Sequence, residues 1–306
     1  MSYTNSPSIE QAHLLVFENN FMQLAQQKDS KLLSSPAVTM MPVKGVSNIS
    51  RIGRTELNEV TGIRNPLLNP ESMDNDNRRA KFRRFEKSFL VDNFDAAIMM
   101  ITDPTSALFQ TLQYAKQRTT DRVIIESAVG TVLVGRPDRQ PTEVSAADDG
   151  VITITGTTNF DYANVVTVLE RNFKNNEVFG DAITFAVSAN EEHLLKQEDK
   201  FINNDYTAYR NVDQRDIKNV GGLDLVVFAG SKTGVATIER PILPESGGTR
   251  TNVAMAADAI GFGMELGYFG ISKSPNHVNS WIIAIEVYFK AVRKEGVRIQ
   301  KVTSTV

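Results

Sequence analysis

The most constraining feature of the sequence is a stretch at residues 81–91 that has an extended pattern but carries charge on both faces. A half-buried strand alternates apolar and polar side chains, and this stretch does not. One face carries Lys81, Arg83 and Lys87, and the other carries Arg84 and Glu86. We therefore expect these residues not to line a core of their own domain.

The residues that precede this stretch also have an extended, core-free pattern. Residues 36–52 are valine-rich and extended, and residues 53–78 are rich in turn-forming residues. An isolated two-stranded ribbon is only marginally stable in water. Residues 37–91 are therefore predicted to form a long projecting hairpin that needs a surface outside its own domain to lie on.

Basic residues interleaved with phenylalanine cover residues 78–87. Three interpretations are open: a ribbon that faces solvent, a contact with DNA phosphates, or a strand that pairs by charge with acidic residues of a neighbouring subunit. The net charge of −3 argues against a dedicated nucleic-acid binder, so any contact with DNA should be weak and non-specific. The candidate intersubunit contacts in this run are Arg78, Arg79, Lys81, Arg83, Arg84 and Lys87.

Residues 1–35 contain one amphipathic helical stretch. Phe17, Phe21 and Leu24 share a face because they follow the i, i+4, i+7 spacing. The stretch is either a surface helix with a frayed lead-in or an arm that docks on a neighbouring subunit. Under the second interpretation, Phe17 and Phe21 are further candidate intersubunit contacts.

A long helix is predicted from Asp103 to about Gly130. Aspartate suits the N-cap and Pro104 suits the first helical position. Residues 123–129 are apolar on more than one side, so the second half of this helix should be deeply buried. One apolar stripe runs along it through Leu108, Leu112, Ala115 and Val123.

The second half of the chain mixes short helices and strands. Asp161 is predicted to begin a helix that ends at Asn175-Asn176, and Ser188 and Glu191 have capping-box spacing for another helix. Residues 254–268 carry no assignable pattern. The mixture lacks regular βαβ alternation and predicts an α+β fold. Strands are predicted at 151–155, 182–187, 223–228, 281–289 and 297–302, the last two as a closing hairpin or bent ribbon.

The sequence offers no arrangement of residues typical of catalysis. It has no cysteine, which excludes disulfides and thiolate metal sites. Its histidines, His13, His193 and His277, follow no metal-ligand spacing. The carboxylate pair Asp148-Asp149 falls in a turn-like loop and is interpreted as solvated, as are Glu191 and Glu192 at their helix start. We predict no catalytic, cofactor-binding or metal-binding residues, no enzyme activity and, without a long apolar run, no membrane partner.

In their order, these features resemble the major capsid proteins of tailed double-stranded-DNA phages with the Hong Kong 97-type fold. The resemblance covers nearly the whole chain and rests on layout, since no single motif is diagnostic. Its matching parts are the charged ribbon through residues 83–95, the spine helix from Asp103-Pro104, the strand-to-helix step at 188–192, and residues 219–228 and 289–302. The implied division is an N-terminal arm at 1–36, an extended loop at 37–91, a peripheral domain with the spine helix at 92–159 and 284–306, and an axial domain at 160–283.

The resemblance implies a structural protein that assembles, as hexamers and pentamers, into an icosahedral shell around viral DNA. The implied partners are other copies of the chain, a portal protein and a separate scaffold protein, expected because little sequence precedes the presumed arm. The implied location is the virion capsid, after assembly in the host bacterial cytoplasm. One alternative is the shell of an encapsulin-type nanocompartment, which shares this fold, and a more distant one is another structural protein of the virion.

Overall fold

The computed structural model describes residues 26–43, 48–57, 59, 75–92, 104–135, 140–156, 160–198, 217–230, 241–277 and 280–305. The predicted N-terminal helix, with Phe17 and Phe21, lies outside the described residues. The helices are α1 (Pro104–Val129), α2 (Thr167–Asn175) and α3 (Ala189–Lys196), with a π-helical turn at Tyr162–Val166 and a 3-10 turn at Gly296–Arg298. The strands are β1 (Val38–Met40), β2 (Asn48–Ile52), β3 (Asn75–Arg79), β4 (Lys81–Asp92), β5 (Val132–Val134), β6 (Thr142–Val144), β7 (Ile152–Thr155), β8 (Ile183–Ser188), β9 (Asn219–Val220), β10 (Leu223–Phe228), β11 (Glu245–Ser246), β12 (Thr249–Ala256), β13 (Ile260–Lys273), β14 (Ser280–Arg293) and β15 (Ile299–Thr305).

One four-stranded sheet has the order β1-β13-β14-β4. Strand β4 pairs antiparallel with β14 along its whole length, from Lys81 opposite Ala291 to Asp92 opposite Ser280. The prediction that residues 81–91 avoid a core of their own domain is therefore wrong. They form an edge strand, whose Phe85 packs edge-to-face on Phe289 with ring centroids 5.4 Å apart, while the charged side chains occupy exposed or half-buried positions.

A second four-stranded sheet, ordered β2-β3-β5-β6, contains the hairpin. Strands β2 and β3 pair antiparallel from Asn48 opposite Arg79 to Ile52 opposite Asn75. Strand β5 anchors the base of this hairpin, because Arg78 and Arg79 pair with Val134 and Leu133. The described hairpin thus runs between residues 48 and 79 and does not include β4.

The seven-stranded sheet has the order β7-β15-β12-β8-β10-β9, with β11 paired to β12. Its ladders are mixed, since β10 runs parallel to β8 while β12 runs antiparallel to both β8 and β15. The residues left unassigned in the sequence belong mainly to β12 and β13. The mixed ladders and the helices fit the expected α+β class.

The chain end departs from the predicted closing hairpin. Strands β14 and β15 do not form a hairpin, because the turn at Gly296–Arg298 carries the chain from one sheet to another. Strand β15 pairs with β12 and β7. Strand β15 therefore lies between β12, from the segment predicted as axial, and β7, from the segment predicted as peripheral. Strand β13, also from the segment predicted as axial, pairs with β14.

The predicted helix starts are confirmed where they are described. Asp161 accepts a hydrogen bond from the Asn164 amide at 2.6 Å, and Ser188 accepts one from the Asn190 amide at 3.2 Å. Helix α1 runs without interruption from Pro104 to Val129, and its buried side chains include Leu112 and Val123.

Two apolar clusters hold these elements together. The first lies between α1 and strands β12, β13 and β14, and the second lies between α2, α3 and the seven-stranded sheet. Burial of this kind stabilises a fold by about 25 cal/mol per Å² of apolar surface. The base of the hairpin lies beside the first cluster, next to the C-terminal end of α1, and this junction positions the charged surface described below.

Candidate intersubunit surface

A concave surface that encloses a volume of about 300 Å³ lies where β3, β4 and the last turns of α1 meet. Three of the predicted contact residues line it: Arg79, Lys81 and Arg83. Glu126 of α1 and Glu143 of β6 line the same surface. The fold therefore brings the basic run of β3 and β4 together with carboxylates that are distant in sequence.

Arg83 and Arg84 project to opposite faces of β4. Arg83 Nη1 lies 2.5 Å from Glu126 Oε2 on α1, and its side chain remains 37% exposed. Arg84 Nε lies 3.0 Å from Glu286 Oε1 on β14, and its side chain is 58% exposed. Exposed ion pairs of this kind contribute at most about 1 kcal/mol to stability, so both arginines can also contact an acidic partner without unfolding the subunit.

Lys87 and Lys81 are exposed on the same edge strand. The Lys87 ammonium lies 5.8 Å from the ring centroid of Phe89, in cation–π geometry. Among the described strands, β4 pairs with β14 alone, so its other edge lies open along this charged side. An open charged edge is a common way in which proteins limit unspecific strand pairing.

Arg78 is a correction to the predicted contact set. Its side chain is fully buried and forms an ion pair with Asp149. One of its hydrogen bonds, Arg78 Nη1 to Asp149 Oδ2, is 2.7 Å long. A guanidinium held in this way faces the interior of the subunit, so Arg78 is withdrawn as a contact with a neighbour.

Asp149 joins Arg78 to a second buried arginine, Arg293. Arg293 Nε donates to Asp149 Oδ2 at 2.6 Å, and Arg293 Nη1 donates to the carbonyls of Ala128 and Gly130 at 2.8 Å and 2.9 Å. Those carbonyls end α1, where a cation is electrostatically favoured. The network therefore ties β3 at the hairpin base to β14 and to the end of α1.

The protonation of Asp149 follows from this setting. Burial alone would raise the pKa of its carboxyl, but the hydrogen bonds and charges of Arg78 and Arg293 outweigh burial and lower the pKa below its usual value. Burial also lowers the pKa of Arg293, against the opposing effect of Asp149. Asp149 is therefore a charged, buried group, and its interpretation as a solvated loop residue was wrong.

A second buried network lies in the seven-stranded sheet. Glu191 is 1% exposed and accepts hydrogen bonds from Ser188 and Ser304, and Arg250 Nη1 lies 3.3 Å from its Oε1. Burial alone would raise the pKa of Glu191. These hydrogen bonds and the charge of Arg250 outweigh burial, so the pKa lies below its usual value. The interpretation of Glu191 as solvated was also wrong, although the capping-box spacing correctly predicted its contact with Ser188.

Asp149 and Glu191 have the surroundings of structural, not catalytic, carboxylates. Both buried carboxylates have arginine partners within the chain, so they are charged and already neutralised by fixed cations. Within the described ranges, no group of three or more metal-ligating side chains comes together. Among the helices that the structure describes, none is both long and apolar enough to cross a membrane.

Comparison with known proteins identifies the fold. A family model described as phage capsid protein matches residues 9–305, whereas no curated protein matches the chain significantly. A structure of Mycobacterium phage Che8 aligns with a TM-score of 0.65 and 12% identity over 92% of this chain and 94% of that one. The capsid asymmetric unit of cyanophage Pam1 aligns with a TM-score of 0.63 and 12% identity over 94% and 95%, and the capsid of Ralstonia phage GP4 with 0.62 and 9% over 94% and 93%. The expected Hong Kong 97-type fold is confirmed by these matches.

Proposed function

This chain belongs to the phage capsid protein family. We propose that its copies form the wall of an icosahedral shell around viral double-stranded DNA. We further propose that the concave charged surface at β3, β4 and α1 contacts a neighbouring copy. The observation that carries the shell function is the family match over residues 9–305. The protein is a structural subunit, a major capsid protein of a tailed phage. The nanocompartment alternative is not favoured, because the matching family is one of phage capsids.

The mechanism is assembly by many modest contacts. Each contact contributes little, but contacts repeated by symmetry in hexamers and pentamers close a shell that is far more stable than any one of them. The basic surface of Arg79, Lys81 and Arg83 is suited to fixing the register of a neighbour through charge. It complements acidic side chains, and the exposed portions of Arg83 and Arg84 leave room for such contacts beside their internal ion pairs.

The hairpin itself supplies an apolar contact. Residues 53–57 follow β2 and are exposed throughout, and the side chain of Leu57 is 100% exposed. We propose that a neighbouring subunit covers Leu57 in the shell, since burying a leucine side chain stabilises an interface by about 1.5–3 kcal/mol.

Other partners are proposed from the net charge and from the family resemblance. The net charge of −3 favours a wall that makes only weak, non-specific contact with packaged DNA. A portal protein, a separate scaffold protein and assembly in the host bacterial cytoplasm follow from the resemblance to tailed-phage capsids alone, and they stay predictions.

The contact proposal is tested by charge reversal. The triple variant Arg79→Glu, Arg83→Glu and Arg84→Glu should remain folded, as measured by circular dichroism, but should yield few closed shells by electron microscopy. A matched control reverses three exposed basic residues elsewhere, Arg171, Lys174 and Lys218, and should assemble better than the triple variant. Normal shells from the first variant would contradict the proposed role of this surface.

A further inference from the structure

An apolar groove that encloses a volume of about 560 Å³ runs between α1 and strands β4 and β14. On α1 its lining extends from Thr111 to Arg122, whereas the concave charged surface adjoins the last turns of the same helix. This volume is within the range of about 300–1,000 Å³ that binding pockets have. Its apolar lining includes Phe85 and Phe89 of β4, Leu112 and Ala115 of α1, and Val287 and Phe289 of β14.

The rim of this groove is basic. Its cationic side chains are Lys87, Lys116, Arg118 and Arg122. Among the lining residues that the structure describes, Glu86 is the one carboxylate, and its Oε2 already lies 2.9 Å from Arg84 Nη2. An occupant that matches the groove therefore combines an apolar side chain with negative charge.

The segment that follows β2 has this combination. Leu57 is 100% exposed, and the acidic residues Glu56 and Glu59 on either side of it are exposed as well. The nearest preceding cation, Arg54, has its Nη1 3.2 Å from Glu177 Oε2 of its own subunit. The described part of this segment thus presents to its surroundings a leucine flanked by two carboxylates.

The groove that suits Leu57 belongs to another copy of the chain. A side chain that is 100% exposed does not lie in the groove of its own subunit. Every copy carries both the segment and the groove, and a contact between two different surfaces of identical subunits repeats around a ring until the ring closes. This geometry is the one that hexamers and pentamers require.

From the matching apolar character and the opposite charges, we propose that the groove of one subunit receives Leu57 of a neighbouring subunit. Glu56 and Glu59 of that neighbour lie against the basic rim. Lys87 and Lys116 are their counter-charges. This inference rests on the proposed shell function and names the site that covers Leu57.

The sequence has no cysteine, so one pair of introduced cysteines can be crosslinked in the full chain. The test variant carries Leu57→Cys and Ala115→Cys, and cysteine keeps both positions small and apolar. The control variant carries Leu57→Cys and Ser88→Cys, because Ser88 is exposed on β4 but lies on the face opposite Phe85 and Phe89. Shells are collected by sedimentation, oxidised and separated on a denaturing, non-reducing gel.

We expect the test shells to contain disulfides between chains, seen as a ladder of dimers and higher oligomers, at about five-fold or more the level of the control, since a disulfide requires Cα atoms within about 7 Å. Test shells that crosslink no more than the control, or only within single chains, would overturn the inference and leave the shell function standing. Failure of the wild type to form any shells would overturn both. If the test variant alone does not assemble, an exchange of charges decides.

In that exchange, the variant Glu56→Lys with Glu59→Lys should stay folded by circular dichroism. Its yield of shells should fall by about five-fold or more, because like charges then meet at the rim. Adding Lys87→Glu and Lys116→Glu to the same chain should restore the yield to at least about half that of the wild type.

The matched control for this exchange adds Lys174→Glu and Lys218→Glu instead, since both lysines are exposed and neither lines the groove. This control should not restore the yield. A yield that does not fall in the first variant, or a restoration produced by both added pairs or by neither, would overturn the inference.

Discussion

Replacing Asp149 by asparagine keeps the shape of the side chain but removes the negative charge between Arg78 and Arg293. Both guanidinium groups are fully buried, and neither can turn toward solvent without disturbing β3 or β14. Removing one partner of a buried ion pair costs about 3–5 kcal/mol, because the remaining charge is left without compensation. We expect the free energy of unfolding of the Asp149→Asn subunit to fall by about this amount at neutral pH.

The assay is urea unfolding of unassembled subunits, followed by circular dichroism over a range of pH. Because the pKa of Asp149 in the folded state is lower than its value of 3.8 in an unfolded chain, the unfolded state binds more protons at acidic pH. The stabilisation by Asp149 is therefore fully present above about pH 5 and declines as the pH falls through the lowered pKa. The difference in free energy of unfolding between the wild type and the variant should become smaller below about pH 4.

Asp148→Asn is the matched control, since Asp148 is adjacent but exposed and bonds to Ser145. Its effect should stay under about 1 kcal/mol, as for other surface polar groups. Equal, small effects from the two substitutions at neutral pH would refute the reasoning that the arginines depend on Asp149. A large effect of Asp149→Asn that does not change with pH would refute the assigned direction of the pKa shift.

Two further predictions concern other buried and exposed groups. Glu191→Gln should lower the free energy of unfolding by about 1–3 kcal/mol at neutral pH. Arg250 loses one of its two carboxylate partners but keeps Glu245. Urea unfolding measures this, and a change within about 0.5 kcal/mol, as for a surface substitution, would contradict it. Leu57→Ser should leave the melting temperature of the subunit unchanged, because Leu57 is 100% exposed. It should reduce the yield of shells measured by sedimentation. A yield equal to that of the wild type would argue against a neighbour that covers Leu57.

The local parts of this fold could be predicted from sequence because their causes are local. The absence of glycine and proline between Pro104 and Gly130 favours one long helix, and the structure has α1 over Pro104–Val129. The caps at Asp161 and Ser188 depend on residues within one helical turn. Short-range chemistry of this kind needs no knowledge of the rest of the fold.

Strand pairing could not be predicted in the same way. Lys81 lies opposite Ala291, and a pattern of alternating residues carries no information about a partner so distant in sequence. Charge on both faces of β4 was taken to exclude a core position, but an edge strand tolerates charge because one side remains near solvent. Phe85 and Phe89, on one face of β4, are partly buried against the first apolar cluster, whereas Phe82 on the other face is 51% exposed.

The candidate surface was predictable only in part. The basic composition of residues 78–87 is visible in the sequence, and the structure places Arg79, Lys81 and Arg83 on one concave surface. The burial of Arg78 depends on Asp149 and Arg293, which are distant in sequence, and no local pattern distinguishes Arg78 from Arg79. Glu191 and Arg250 are also distant in sequence, so neither buried network had a sequence signal beyond the capping box.

The central claim is that copies of this chain build a closed shell, and negative-stain electron microscopy of the recombinant full-length protein tests it most directly. The protein should be imaged alone and together with a candidate scaffold protein. The account predicts uniform, closed polyhedral particles in at least one of these conditions. A subunit that stays monomeric in every condition, or that forms only open tubes or rings, would contradict it.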